Sequence, residues 1–286
     1  MTVDILNDSR IGRLVEQALQ EDVGFGDITS EAIIPEEQIG RAVVLPKENG
    51  IISGVELFKI VFQYIDRQVT AEFDRFDGGL ATASKHIGEV EGPVRSILTG
   101  ERVALNFLQR MSGIATLTHK FVHAVAGTNA KITDTRKTSP GLRMLERKAV
   151  VDGGGVNHRF GLDQMVLIKD NHIQAAGSIS NAVSRCTKYL LDHHIEAKIE
   201  VETTSLAQVE EALRCAGVNR IMLDNFLLND MTAAIRRIDH AVEVEVSGGV
   251  TLETVRAIAE TGVDFISVGA LTHSSKALDI SLELLH

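Results

Sequence analysis

Lys198-Ile199-Glu200-Val201-Glu202, followed by Ile221-Met222-Leu223-Asp224, Val242-Glu243-Val244-Glu245-Val246 and Phe265-Ile266-Ser267-Val268, decides the fold. Each run is short and β-branched, and helix-like segments separate them, the pattern of parallel βα units. The polar residues at the ends of the runs, Glu202, Asp224, Ser247 and Gly269, fall 22, 23 and 22 residues apart. A repeated period sets equivalent positions at one end of one barrel, where catalytic groups come from strand C-termini and the loops that follow. Lys131 to Thr135 and Val166 to Lys169 read as earlier strands. Ser205-Leu206-Ala207-Gln208 reads as a capping box, Thr251 as a cap for Leu252 to Ala259, and Ser139-Pro140 as the opening of a helix that Gly153 to Gly155 ends. Six or seven strands, fewer than eight, predict an incomplete or irregular (β/α) barrel.

The first hundred residues have another character. Ser9 to Gln20 and Val55 to Ile65 read as helices, Ile39 to Leu45, Gln68 to Phe76 and Ile87 to Leu98 as strand regions, and Asp77-Gly78-Gly79 as a turn. Antiparallel sheet covered by helices follows, an α+β open sandwich. A long helix from Glu101 to about Ala126 leads into the barrel. The expected domains are residues 1–103 for the sandwich and 104–273 for the barrel, with the tail 274–286 packing back on the sandwich.

Composition narrows the function classes. The chain has 286 residues, 44% apolar and 24% charged, which suits an ordinary globular protein. No apolar run approaches a membrane span, and Met1 to Arg13 mixes acids and polar residues where a signal peptide would be basic and then apolar, so a cytoplasmic protein without membrane contact is expected. Cys186 and Cys215 lack metal-ligand spacing and read as core-filling thiols. A net charge of -10, no Trp and two Tyr argue against a nucleic-acid surface.

Within that acidic chain, Asp134 to His172 gathers seven Lys or Arg and two His against five carboxylates. Buried cations need partners, and an anionic substrate supplies the missing charge. Arg136 and Lys137 follow a strand and are read as preceding a helix N-terminus, which favours anions. Gly153 to Gly155 then introduces Asn157-His158-Arg159, and a guanidinium suits bidentate carboxylate recognition. Lys169 ends an apolar strand, with Asp170 its nearest candidate partner.

Glu200 and Glu202 alternate, so both point to one face and need cations, hydroxyls or a metal ion. Glu202 and Asp224 could hold ribose hydroxyls or a hydrated magnesium ion. Ser247-Gly248-Gly249 and Val268-Gly269-Ala270 are similar to the paired phosphate cradle that barrels form after their last strands. A Schiff-base lyase using Lys169 and a noncatalytic anion sensor are the rival readings.

Taken together, ThrArgLysThr-Ser-Pro-Gly, GlyGlyGly-Val-Asn-His-Arg-Phe-Gly-Leu, LeuIleLysAspAsnHis, GluValGlu, MetLeuAspAsn, SerGlyGly and SerValGlyAlaLeuThrHis resemble the quinolinate phosphoribosyltransferase family. Glu21 to Thr29 and the helix from Glu101 to Phe107 extend the resemblance over nearly the whole chain. It implies a pentosyltransferase of NAD biosynthesis that takes quinolinate and phosphoribosyl pyrophosphate, with magnesium, to nicotinate mononucleotide, pyrophosphate and carbon dioxide. It assigns quinolinate to Arg136, Arg159 and Lys169 with His158 nearby, and Arg102 to the partner subunit of a homodimer that could assemble further into a hexamer. Thr135 and Lys137 would bind substrate, Lys137 at the phosphates. Glu202 and Asp224 would meet the ribose and the magnesium shell, and Ser247, Gly248 and Gly249 with Val268, Gly269 and Ala270 the 5-phosphate. Glu202, Asp224, Lys137 and Lys169 are the expected catalytic groups.

Overall fold

The computed structural model describes residues 9–285. The reading of Met1 to Asp8 and of the last tail residue lies outside them. The chain forms two compact units, residues 1–119, 140–154 and 274–286 in the first and 120–139 and 155–273 in the second.

The first unit begins with α1 (Ser9–Val23) and α2 (Ile28–Ile33). Then come β1 (Ile39–Pro46), β2 (Gly50–Ile51), α3 (Val55–Ile65), β3 (Thr70–Phe73), β4 (Leu80–Ala81), β5 (Gly88–Pro93) and α4 (Val94–Ala124), whose last residues count with the second unit. An antiparallel sheet takes the order β12-β1-β5-β3, where β12 (Ile280–Leu284) comes from the end of the chain. Alternation decides its faces: Ala42 and Val44 are buried while Arg41 faces out to Glu89 and Glu91. Ala42 sits opposite Val90, which is also buried. Phe58 on α3 meets Phe62 and the half-buried Phe73 edge-on, both centroids at 5.2 Å, and the fully buried Phe58 and Phe62 rings each contribute about 2 to 3 kcal/mol.

Two local expectations change here. The strand read through Leu98 stops at Pro93, which lacks an N–H for the ladder, and α4 starts at once with Val94 and Ile97 buried at helical spacing. Ser139 and Pro140 do not open the next helix. That helix, α5 (Arg143–Asp152), begins after Leu142, whose side chain makes no cap hydrogen bond. Gly153 ends it with an ordinary helical φ of -78°. Its missing side chain serves close packing instead, because a Cβ there would stand 2.4 Å from the Ala115 carbonyl oxygen.

The second unit alternates strand and helix. Its elements are β6 (Lys131–Thr133), β7 (Val166–Ile168), α6 (Asp170–Ala176), α7 (Ile179–Asp192), β8 (Ile199–Thr203), α8 (Leu206–Leu213), β9 (Val218–Asp224), α9 (Leu228–Ile238), β10 (Glu243–Ser247), α10 (Val255–Ala259), β11 (Phe265–Ser267) and α11 (Ala270–His273). All six strands pair in parallel, in the order β6-β11-β10-β9-β8-β7. A parallel bridge from Thr133 to Val156 extends the β6 edge. Six strands are fewer than the eight of a complete (β/α) barrel, so the barrel is incomplete. Ser205 caps α8 by accepting the Gln208 N–H, whereas α10 starts later than read, at Val255, with Thr254 Oγ1 accepting the Thr251 N–H. Cys186 and Cys215 are free and half-buried, so neither fills the core.

Candidate active site

Parallel register decides which side chains meet. Glu202 pairs with Met222, Met222 with Glu245, and Glu245 with Phe265. Side chains at paired and alternate positions share a face. Glu200, Glu202, Arg220, Asp224, Glu243, Glu245, Ser247, Phe265 and Ser267 therefore line one side of the sheet. Asp224 stands opposite Ser247 on β10, and, with the β8 register set by a bulge between Ile199 and Glu200, two residues beyond Met222, the partner of Glu202. The even spacing between Glu202 and Asp224 in sequence is not an even level in space.

The cations arrive from loops after β6 and before β7. Asp134, fully buried, accepts the His158 N–H at 2.7 Å and so ties the two loops together. Arg159 follows His158, and its Nη1 donates to the Met165 carbonyl at 2.8 Å. Its pKa is held below the usual guanidinium value, first by burial and then by the charge of Arg136. Two guanidiniums gathered closely enough to repel each other are chemically suited to an anionic ligand. Their position no longer rests on a helix N-terminus, because α5 begins only at Arg143.

Lys169 does not turn to Asp170. It reaches back across the sheet, Nζ donating to Glu202 Oε2 at 2.9 Å, while Asp170 Oδ1 accepts the Asn171 N–H. Lys137 runs toward the other loop. Its N–H donates to Thr135 Oγ1, its carbonyl accepts the Thr272 hydroxyl at 2.8 Å, and its side chain lies beside Gly269. A Cβ on Gly269 would stand 3.1 Å from His273 Nε2 and 3.3 Å from Lys137 Cδ, so glycine keeps that cradle open between two basic side chains. Val268 donates its N–H to the Thr133 carbonyl, and Ala270 starts α11.

Ser247, Gly248 and Gly249 make the second loop. Gly248 has φ +94° and lies against Asn225, where a Cβ would be 2.2 Å from Oδ1. Asn225 donates from Nδ2 to Asp224 Oδ2 at 2.9 Å and from its N–H to the Ser247 carbonyl, joining the MetLeuAspAsn and SerGlyGly motifs into one turn. Glu202 and Asp224 offer oxygen ligands only, the chemistry a hydrated magnesium ion prefers. Arg102 belongs to the first unit, half-exposed on α4 with Nη2 3.9 Å from Glu101 Oε1.

Below these groups lies a set that the reading by strand ends passed over. His158 Nε2 lies 3.0 Å from Glu200 Oε2 and 3.5 Å from Glu245 Oε2, both carboxylates fully buried. Arg220 donates to Glu245 at 2.7 Å and to Glu243 at 3.0 Å, and stacks on Phe265 at 3.9 Å. Ser267 Oγ donates to Glu245 Oε1. The signal was present in the alternation of Glu243 and Glu245, which copies that of Glu200 and Glu202.

Burial opposes charge on the His158 ring, but the hydrogen bonds to Glu200 and Glu245 outweigh it and push its pKa up to about 9. Burial and the nearby Glu245 charge raise Glu200, whereas hydrogen bonds from His158 and Ser267 and the Arg220 charge lower Glu245 against its burial. The Arg159 N–H, 2.8 Å from His158 Nδ1, suits a neutral ring. Protonation would put a hydrogen on Nδ1 and give up that acceptor, so the two carboxylates, which favour the charged ring, and the Arg159 N–H, which favours the neutral one, compete for the ring proton. His158, Glu200 and Glu245 could approach a metal ion by distance alone, but the Arg220 guanidinium already neutralises Glu245.

Comparison with known proteins agrees with this arrangement. The model described as quinolinate phosphoribosyl transferase, C-terminal domain, matches residues 114–283, and that of the N-terminal domain matches residues 27–112. The chain is 47% identical over 286 residues to a protein of Arabidopsis thaliana named chloroplastic nicotinate-nucleotide pyrophosphorylase [carboxylating], covering 95% of this chain and 82% of that one. It is 41% identical over 279 residues to the probable nicotinate-nucleotide pyrophosphorylase [carboxylating] of Bacillus subtilis (strain 168), covering 98% and 95%. The solved structure of NadC from Streptococcus pyogenes superposes with a TM-score of 0.92 at 40% identity and 96% coverage of each chain. With both family models together spanning nearly all of it, the chain belongs to the quinolinate phosphoribosyltransferase family.

Proposed function

We infer that the cation-rich loops and acidic strand ends of the second unit are where this transferase joins quinolinate to phosphoribosyl pyrophosphate. The observation that carries the reading is geometric: Asp134 ties the loop bearing Arg136 to the segment bearing His158 and Arg159, and the two guanidiniums confined there suit the two neighbouring carboxylates of quinolinate. Lys169 and His158 complete that pocket. Lys137 and the Gly248, Gly249 and Gly269 turns suit the phosphates of the second substrate, with Thr135 fixing the Lys137 backbone.

In the first step the pyridine nitrogen attacks the anomeric carbon, the bond to pyrophosphate breaks, and the leaving group departs with the electron pair. Glu202 and Asp224 offset the positive charge that develops on the sugar. Magnesium, held by Glu202 and Asp224, would neutralise charge on the leaving pyrophosphate. The ring nitrogen is now cationic. The bond from the adjacent ring carbon to its carboxylate breaks, carbon dioxide leaves, the electron pair stays on that carbon beside the cationic nitrogen that stabilises it, and a proton then joins the carbon. No organic cofactor is required.

Arg102 belongs to this proposal as a group that one copy lends to the other in a homodimer. The cytoplasm is proposed from composition alone. Among the described residues no helix is long and apolar enough to cross a membrane.

The test is to mix the protein with quinolinate, phosphoribosyl pyrophosphate and magnesium and to follow nicotinate mononucleotide and carbon dioxide, expected in equal amounts. Binding of both substrates with neither product would overturn the reading. Mixing inactive Arg102→Ala and Arg159→Ala chains should restore about a quarter of wild-type activity, because half the dimers then carry one intact site; no recovery would place Arg102 outside a shared site.

A further inference from the structure

Among the described residues, an alternating ladder of charge runs from exposed groups of the second unit into its interior. Lys198 Nζ lies 3.2 Å from Glu243, which is 3.0 Å from Arg220, which is 2.7 Å from Glu245. Glu245 Oε2 is 3.5 Å from His158 Nε2, and that nitrogen is 3.0 Å from Glu200. At its buried rungs, Arg220, Glu245, His158 and Glu200, apolar side chains filling the same space would serve stability as well or better, so those rungs call for another explanation. Its His158 rung lies next to Arg159 in the chain.

We propose that Glu245 and Arg220 are positioning residues for the pyridine dicarboxylate, acting through His158 on Arg159. Every part of Glu245 is fixed: Arg220 and His158 address Oε2, and the Ser267 hydroxyl donates to Oε1. Arg220 is fixed in turn by Glu243 and by stacking on Phe265. This leaves His158 one orientation, with Nε2 toward the two carboxylates and Nδ1 toward the Arg159 N–H at 2.8 Å. Asp134 holds the same segment from the other side by accepting the His158 N–H. The backbone that launches the Arg159 side chain is thus set by a ring that the ladder orients. Glu200 makes a weaker guide, since its Oε1 has no hydrogen-bond partner among the described residues, whereas all the acceptor directions Glu245 needs are used.

The inference rests on the assignment of Arg159 to quinolinate. A positioning residue shows itself in the split between kinetic parameters, because the ladder reaches the dicarboxylate pocket and not the phosphate loops. Glu245→Gln should raise the KM for quinolinate about tenfold, with the KM for phosphoribosyl pyrophosphate within about twofold of wild type. Glu245→Asp, keeping the charge, should recover part of the loss. Equal change in both KM values, or a fall in kcat alone, would overturn the proposal. Should Glu245→Gln fail to fold, Ser267→Ala removes only one hydrogen bond from Glu245 and should show the same split at about threefold; an unchanged KM for quinolinate in that variant counts against it. Arg159→Ala separates the two levels. If it leaves quinolinate binding intact, the site assignment fails; if it weakens binding while the Glu245 variants do not, only the ladder's role fails.

Discussion

In the first unit Lys148 closes a buried cluster with Asp77 at 2.5 Å and Asp152 at 2.7 Å, whereas in the second His158 lies between Glu200 and Glu245 with one Glu200 oxygen left over. The first cluster is saturated. Asp77 Oδ1 also accepts the N–H groups of Gly54 and Val55 at the start of α3, and Asp152 Oδ2 accepts the Ser53 hydroxyl. Its charges tie α5 to the segment before α3 and to the turn at Asp77. The second cluster ties strands together as well, but it opens onto Arg159 and Arg136, whose like charges ask for an anion. A saturated ionic cluster acts as a staple, and one with an unpartnered carboxylate oxygen beside two clustered guanidiniums fits the substrate site proposed above.

The largest way to break this contrast is to remove one of the two guanidiniums. Arg159→Ala should lower kcat/KM for quinolinate by about 10² to 10³, the usual result of deleting one preorganised charged contact, with little change in thermal midpoint. Steady-state kinetics beside a melting curve decides it. A variant that melts early but turns over normally would make Arg159 a staple after all.

The opposite substitution probes the saturated cluster. Lys148→Met leaves Asp77 and Asp152 buried without their counterion, which should cost about 3 kcal/mol of stability by denaturant titration. Both KM values should stay at wild type. Weaker quinolinate binding with unchanged stability would mean that the two clusters had been assigned the wrong way round.

These two clusters also differ in how visible they are in sequence. The barrel was legible because each strand carries its own β-branched run and ends on a polar residue at a near-constant period. Lys169, Glu202 and Arg159 were legible as charges beside apolar strands. Arg220 and Glu245 were not, because they sit mid-strand and become a network only through the register of β9, β10 and β11. The start of α4 was missed for a local reason: Val94 to Leu98 suits a strand by composition, and only Pro93 marks the change. Lys148 and Asp152 sit one turn apart on α5, but Asp77 lies 71 residues earlier and carries no motif, so their meeting with it belongs to tertiary structure.

A smaller effect separates the two anion sites within the second unit. At Gly248, φ +94° and the nearby Asn225 Oδ1 leave no room for a side chain. Gly248→Ala should push Asn225, and with it Asp224, raising the KM for phosphoribosyl pyrophosphate about tenfold while quinolinate binding holds. Isothermal titration with each substrate alone would expose any spread between the sites.

The smallest effect is the one that tells an open cluster from a closed one by pH. Free imidazole near 6.5 is raised at His158 to about 9, so the ring and its carboxylates contribute stability fully below about 6.5 and lose it as pH climbs through about 9. The gap in thermal midpoint between wild type and His158→Gln should therefore be widest near pH 6 and shrink toward pH 9.5, about 3 °C or less at its widest. Lys148 is raised from an ordinary value of 10.5, so the gap for Lys148→Met should stay level over the same range. A level gap for both variants would mean that the His158 ring stays neutral, held by the Arg159 N–H at Nδ1. Glu200 would then have to carry the proton that balances the buried carboxylates, the direction in which burial and Glu245 already push it.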